Sequence, residues 1–338
     1  MILKPGRITD RAWFLHLFKA IFYGNMLLVF LLPVAEGSGT MNAGLIGAGK
    51  MGHALALNML EHGHRVVVYS RNPEKAAAFT DEGLEGTADL AELVNKLPDQ
   101  KIIWLMVPAG DAVDEMLEQL IPLLKKDDII IDGGNSHYRD SVRRSETLFS
   151  YDLHYVDAGI SGGPAGARSG ACMMVGAEEK IYNYLEPLFK DICVEGGYLH
   201  VGGNGAGHYV KMVHNGIEYG MMQAIAEGFA LLDRGPYQLN YGDVARLWNN
   251  GSVIQSWLIE LTANMFTADP TLKTLKGVAG SSGTGLWTVE EALLRKVPLP
   301  VITQALYARY GSEQSDPFSA KIIAGLRREF GGHEEPDR

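Results

Sequence analysis

The sequence predicts an α/β domain built on a parallel sheet, followed by an all-α domain. Three observations carry this reading. A short apolar strand, a glycine-rich turn and an apolar helix follow one another from Ala43 to Glu61. Apolar runs of strand length then recur and end in small or polar residues. From Ala206 to about Leu232 there is no proline, and the pattern is that of one long helix. Strands alternating with helices make a parallel sheet whose strand ends face a ligand crevice. The expected boundaries are a leader at 1–40, a dinucleotide-binding domain at 41–204, and a helical substrate and oligomerisation domain with a C-terminal tail at 205–338.

The leader differs from the rest. Ala20–Ala35 is almost continuously apolar and follows Arg7, Arg11 and Lys19. That resembles a signal peptide or a short anchor, although the run is short for a membrane span of about 20 residues. Met41 stands two residues before the first strand pattern, so the favoured reading is that translation starts there. An export signal or anchor is the alternative. No membrane partner is expected.

Ala43–Ile46 reads as a buried strand, and Gly47-Ala48-Gly49-Lys50-Met51-Gly52 spells GxGxxG. The helix pattern runs to about Glu61, Gly63 closes it, and Arg65–Tyr69 is the next strand. This is the context that a Rossmann-type dinucleotide fingerprint needs. Gly47 permits the tight turn, Gly49 lets the backbone approach a pyrophosphate, and Gly52 lets helix and strand pack closely. A P-loop is a near miss, because Met51 stands where a Ser or Thr must hold magnesium. The second strand ends in Ser70 and Arg71, where NAD enzymes carry an acid for the ribose hydroxyls. An acid repels a 2′-phosphate, whereas Ser and Arg bind one. NADP is therefore the expected cofactor. NAD remains open, since Arg71 could instead stack on adenine.

Ile102–Val107 is the next strand, ending at Pro108-Ala109-Gly110, with Val107 and Ala109 facing the cofactor. Ile129–Asp132 ends at Gly133-Gly134-Asn135-Ser136, and His154–Ile160 ends at Ser161-Gly162-Gly163. On the long helix, His208, Lys211, Asn215 and Glu218 cluster on one side, with His214 beside them. Glycines at 216, 220 and 228 would allow close helix packing. A lysine there could act as a base if a confined, cationic setting lowers its pKa. A solvated polar face is the plainer reading of the same spacing, until the glycine-rich turn before it and the mix of proton-handling side chains are added.

The net charge of −10 argues against a nucleic-acid partner. The positive charge that an anionic substrate needs must then be local. Cys172 and Cys193 fit no metal spacing, so no metal is expected. A disulfide framework is not expected either, which suits a reducing cytoplasm.

Seven runs together resemble the 6-phosphogluconate dehydrogenases, decarboxylating, of the short bacterial type. They are GLIGAGKMG, IDGGNSHYRD, DAGISGGPAGARSG, GAGHYVKMVHNGIEYG, SGTGLWT, ALYAR and RREFGGH, spread from Met41 to His333. The resemblance implies oxidation of 6-phospho-D-gluconate at C3 and loss of CO2 to give D-ribulose 5-phosphate, as in the pentose phosphate pathway. It implies that Lys211 takes the hydroxyl proton and that Glu218 protonates C1. His214 and Asn215 then bind substrate and polarise the reacting oxygen, and Asn135 lies between nicotinamide and substrate. Ser161, Gly162 and Gly163 match the loop at the carboxylate end. Tyr219, Thr284 and Arg309 match ligands of the phosphate end. Arg327 and His333 match a tail that a neighbouring subunit inserts into the site, which implies a homodimer or homotetramer. Two departures stand out. Ser282 replaces a phosphate-gripping lysine of long members, with Lys273 and Lys276 near in sequence. The duplicated second helical half of long members is missing. The rival reading is a β-hydroxyacid dehydrogenase of the 3-hydroxyisobutyrate type. A non-catalytic dinucleotide sensor is a further alternative, opposed by the intact Lys211 and Glu218.

Overall fold

The computed structural model describes residues 39–331. The expected leader lies outside these apart from Gly39 and Thr40, and so does His333. The first strand, β1 (Asn42–Ile46), leads through the glycine turn into α1 (Lys50–Glu61) and back to β2 (Arg65–Tyr69). Then come α2 (Pro73–Asp81), β3 (Glu85–Thr87), α3 (Leu90–Lys96), β4 (Ile102–Leu105) and α4 (Asp111–Leu120). The next segments are β5 (Ile129–Asp132), α5 (Tyr138–Phe149), β6 (His154–Ser161) and α6 (Gly163–Ser169). The sheet half ends with β7 (Ala171–Gly176), α7 (Glu179–Ile192) and β8 (Cys193–Gly202).

These strands form one eight-stranded sheet in the order β3-β2-β1-β4-β5-β6-β7-β8. Every neighbouring pair is parallel except β6 and β7. Strand order reverses between β1 and β4, so their carboxyl ends open a crevice. Successive side chains alternate between two cores. Leu45, Val68, Trp104, Ile131 and Val156 pack with Leu55 and Met59 of α1 and Phe189 of α7. Ile46, Val67, Ile103 and Ile130 pack with Leu93, Leu117 and Leu148 on the other face.

The long helix predicted from Ala206 is present as α8 (Ala206–Asp233). Around it lie α9 (Tyr241–Trp248), α10 (Trp257–Ala268), α11 (Gly283–Arg295), α12 (Pro300–Ser312) and α13 (Phe318–Gly331). Sheet and helices form one compact unit from Gly39 onward. The helix packs on β6 and β7 and also on α11 and α12. Its first turn is seated by Asp157 in the middle of β6. That buried carboxylate accepts hydrogen bonds from the N–H of Gly205 at 2.6 Å and of His208 at 2.8 Å. A Cβ on Gly207 would lie 2.3 Å from the Asp157 carbonyl oxygen, and one on Gly159 would lie 2.4 Å from the Cβ of Lys211. Only hydrogens fit between helix and sheet here.

Of the three glycines expected to let helices approach, Gly216 does so, with Thr288 Cγ2 at 2.7 Å from where its Cβ would be. At Gly220 the nearest atom, on Val301, lies at 3.3 Å, and a Cβ on Gly228 would meet nothing within 4 Å. The expectation fails at Gly228, where no neighbouring helix comes near. Among the described residues, no helix is long and apolar enough to cross a membrane.

The seat of α8 yields a test. Gly159→Ala should lower stability by about 1–3 kcal/mol, the cost of overpacking, and should shift Lys211 enough to lower turnover. Gly203→Ala, where a Cβ meets nothing within 4 Å, should change neither. Thermal unfolding and kcat of both variants check this, and equal behaviour of the two would contradict it.

Candidate active site

The crevice at the strand ends is a cleft of about 790 Å³. Gly47 turns the chain with φ +98°, and a Cβ there would lie 2.5 Å from the Met106 carbonyl oxygen. A Cβ on Gly52 would lie 2.4 Å from the Gly47 carbonyl oxygen. Around Gly49 there is open space. The backbone at the start of α1 is thus bare toward the cleft, with its free N–H groups available to phosphate oxygens. Met51, Val107 and Asn135 line the same cleft, whereas Lys50 and Ala109 are exposed and do not. These walls fit a dinucleotide.

Ser70, Arg71, Asn72 and Lys75 line its far end. Ser70 accepts a hydrogen bond from the Asn72 N–H at 3.3 Å, and Asn72 caps α2 by accepting from Glu74 and Lys75. Lys75 reaches back to donate to the Ala48 carbonyl at 2.8 Å. This second cation was not anticipated, because it enters by tertiary packing from a helix that the sequence reading left unplaced. At the opposite end, Asp132 holds the Asn135 loop. Its carboxylate accepts from the Gly134 N–H at 3.1 Å, the Ser136 hydroxyl at 2.7 Å and the Tyr155 hydroxyl at 2.9 Å.

The expected proton-handling residues come together on α8. Lys211 is 6% exposed and Asn215 is 7% exposed. Lys211 Nζ lies 3.5 Å from His214 Nδ1, and His214 Nε2 lies 3.2 Å from the Ser161 hydroxyl. The next helical residue, Asn215, places its Oδ1 at 3.1 Å from His214 Nδ1, and its amide donates to Thr284 Oγ1 at 3.3 Å. Glu218, half-exposed, stands 3.8 Å from His214 Nδ1. Burial pushes the Lys211 pKa below the ordinary lysine value, while negative charge at Glu218 and Cys172 pulls it part of the way back. His208 does not join this group. It is buried with Nδ1 at 2.7 Å from the Ser141 hydroxyl, because its side of the helix faces α5.

Toward the other end, hydroxyls form a chain. Thr284 Oγ1 lies 2.8 Å from Ser282 Oγ, which lies 3.2 Å from the Tyr219 hydroxyl. The Arg309 guanidinium sits 3.7 Å above the Tyr219 ring and donates to the Gly280 carbonyl at 2.8 Å. Arg309 is therefore the cation beside Ser282, and no contact brings Lys273 or Lys276 there. Gly162 and Gly163 open α6 with φ +113° and +60°, which leaves the Ser161 hydroxyl free to meet His214. Arg327 lies exposed on α13 and makes none of these contacts. Among the described residues, no cluster of three or more His, Cys, Asp or Glu is placed to hold a metal.

A dinucleotide cleft, with a buried lysine, a histidine and an asparagine on the helix packed against the sheet, is the layout of an NAD(P)-dependent dehydrogenase. The family model for the NAD-binding domain of 6-phosphogluconate dehydrogenase matches residues 42–202, and that for the 6-phosphogluconate dehydrogenase C-terminal domain matches 207–326. The chain belongs to the 6-phosphogluconate dehydrogenase family. It is 48% identical to a putative 6-phosphogluconate dehydrogenase, YqeC, of Bacillus subtilis, over 87% of this chain and 98% of that protein. It is 47% identical, with the same coverage, to an NAD(+)-dependent, decarboxylating 6-phosphogluconate dehydrogenase of Haloferax volcanii. Among solved structures, that of Plasmodium falciparum 6-phosphogluconate dehydrogenase, described with NADP+ and 6-phosphogluconate, matches with TM-score 0.76 and 33% identity, over 88% of this chain and 67% of that one.

The electrostatics predict a pH response. A base acts only when neutral, so the hydride-forming rate should rise as pH passes the Lys211 pKa. Because burial lowers that pKa, the rising limb should fall below the roughly 10.4 of a free lysine. The Glu218 charge favours the ammonium form, so Glu218→Gln should move the limb to lower pH. Single-turnover formation of reduced cofactor across pH measures this, and an upward movement would contradict the arrangement.

Proposed function

We propose that this protein oxidises 6-phospho-D-gluconate at C3 and decarboxylates it to D-ribulose 5-phosphate and CO2. The observation that carries this is the row from Lys211 through Asn215, Thr284 and Tyr219 to Arg309. It offers a buried base at one end and hydroxyls with a cation at the other, which suits a hydroxy acid bearing a distal phosphate. When bound, the nicotinamide of NAD(P) accepts the hydride. The neutral Lys211 Nζ takes the C3 hydroxyl proton. Now charged and poorly solvated, it polarises the C3 ketone while CO2 departs, so the residues themselves supply the electrostatic stabilisation. His214 and Asn215 hold that oxygen, Ser161 and the Gly162–Gly163 turn take the carboxylate end, and Glu218 returns a proton to C1 of the enediol. A 3-hydroxyisobutyrate-type enzyme would have no use for the phosphate end and would release no CO2. Absorbance at 340 nm with 6-phosphogluconate, with released CO2 measured in parallel, tests the reading. Cofactor reduction without CO2 would overturn it.

NADP is the proposed cofactor. Ser70 and Arg71 stand where an acid would bind ribose hydroxyls, and Lys75 adds a second cation. Removing one charge-assisted contact costs about 1.5–3 kcal/mol. Arg71→Ala should therefore weaken NADP on the order of 10–100-fold and leave NAD nearly unchanged. Equal losses, or a wild-type preference for NAD, would reverse the assignment. A cytoplasmic setting agrees with two unpaired cysteines.

The working unit is proposed to be a homo-oligomer. An apolar groove of about 1080 Å³ is lined by residues such as Ile225, Phe229, Leu258 and Leu261. On α13, Phe318, Ile322 and Leu326 are exposed at i, i+4 and i+8, one apolar stripe. A second copy of the chain supplies such a stripe for such a groove. The resemblance implies that Arg327 and His333 of that copy enter this active site. Mixing a Lys211→Ala variant with a chain truncated before Arg327 should restore part of the activity, since one mixed site then has both parts. Demonstrated subunit exchange with no recovery would show that the tail serves no neighbouring site.

A further inference from the structure

The residues assigned to the two reactants lie on different parts of the molecule. Asn135, on the cofactor side, precedes α5 by three residues. Thr284, on the substrate side, is in the first turn of α11. Hydride transfer depends on the separation of donor and acceptor to within a fraction of an ångström, so something must fix α5 against α11. The buried Glu291 of α11, 6% exposed, faces that junction. Its Oε2 accepts from the Tyr138 hydroxyl at 2.8 Å and from Arg139 at 3.1 Å, and its Oε1 accepts from Arg295. One turn earlier, Trp287 meets the His137 ring edge-on at 5.0 Å, while Tyr138 meets Tyr209 of α8 edge-on at 5.1 Å.

We propose that Glu291, through Tyr138 and Arg139, is a positioning residue that sets the distance between the cofactor half and the substrate helices. It touches neither reactant. Its carboxylate gathers three donors from two helices, and a buried acceptor that loses its matched donors leaves them unsatisfied. The junction, once loosened, would keep both binding surfaces intact and spoil only their alignment. The inference rests on the oxidation proposed above for its kinetic readout.

The test uses the full-length protein with Glu291→Gln and the milder Tyr138→Phe. Expected in Glu291→Gln is a 10–100-fold slower hydride transfer at saturation of both ligands. A larger primary isotope effect with substrate deuterated at C3 should accompany it, and the Kd of each ligand alone should stay within about threefold of wild type. The double variant should be no slower than the slower single one, because both act through one contact. Hydrogen exchange at 133–137 and 277–284 should quicken in Glu291→Gln. That measurement needs no substrate and judges the junction even if 6-phosphogluconate proves to be the wrong one. Failure of wild type to oxidise 6-phosphogluconate would sink the functional reading alone. Unchanged hydride transfer with unchanged exchange, or a loss seen only in Kd, would overturn the role of Glu291. Should Glu291→Gln fold poorly, Tyr138→Phe decides by the same criteria.

Discussion

Everything at the site depends on one buried carboxylate in the middle of a strand. Asp157 is inaccessible to solvent, and burial pushes its pKa up, while His208 and the N–H groups of His208 and Gly205 pull it back. Those N–H groups are otherwise without helical partners, and the helix terminus there carries partial positive charge. The cap fixes where α8 begins. Gly159 and Gly207 fix how close it lies, because no side chain separates helix from sheet. With start and height both set, the rotation of the helix is determined, and Lys211 lands over β6 against Gly159.

The same closeness accounts for the chemistry. A lysine on an open helix face would keep its ordinary pKa. Here the sheet removes water from one side of Lys211, and desolvation disfavours the ammonium. Glu218, two turns further along, limits how far that shift goes. The acidic balance of the whole chain is no obstacle to an anionic substrate, since the site places Lys211 and Arg309 at its two ends with hydroxyls between. Ser282 stands where the resemblance implies a lysine. Its hydroxyl joins Tyr219 and Thr284, and the nearby positive charge comes from Arg309, held by the face of the Tyr219 ring.

Much of this was legible in the sequence. The glycine fingerprint fixes its own context, since strand, turn and helix are consecutive, and α8 announces itself by an unbroken helical pattern. The residues on it were read together because helical periodicity groups them. Periodicity could not say which flank of that helix meets the sheet, so His208 looked like a partner of Lys211 when it belongs to Ser141. Nor could it show that Asp157 and Gly159, read as the tail of a strand, are the seat of the helix. Lys75 and Glu291 were missed for the same reason. Each acts across a junction between segments distant in sequence, and no local pattern marks such a contact. Gly228 is the converse case, a glycine at helical spacing with no neighbour to require it.

The seat of α8 makes Lys211 hold its proton less tightly than an ordinary lysine before any ligand arrives. Direct titration of lysine ε-carbons by NMR in the ligand-free protein tests it, with Lys211→Arg assigning the resonance. One lysine signal, lost in that variant, should titrate below the range of the surface lysines. A Lys211 signal that titrates with the surface lysines or above them would contradict the account.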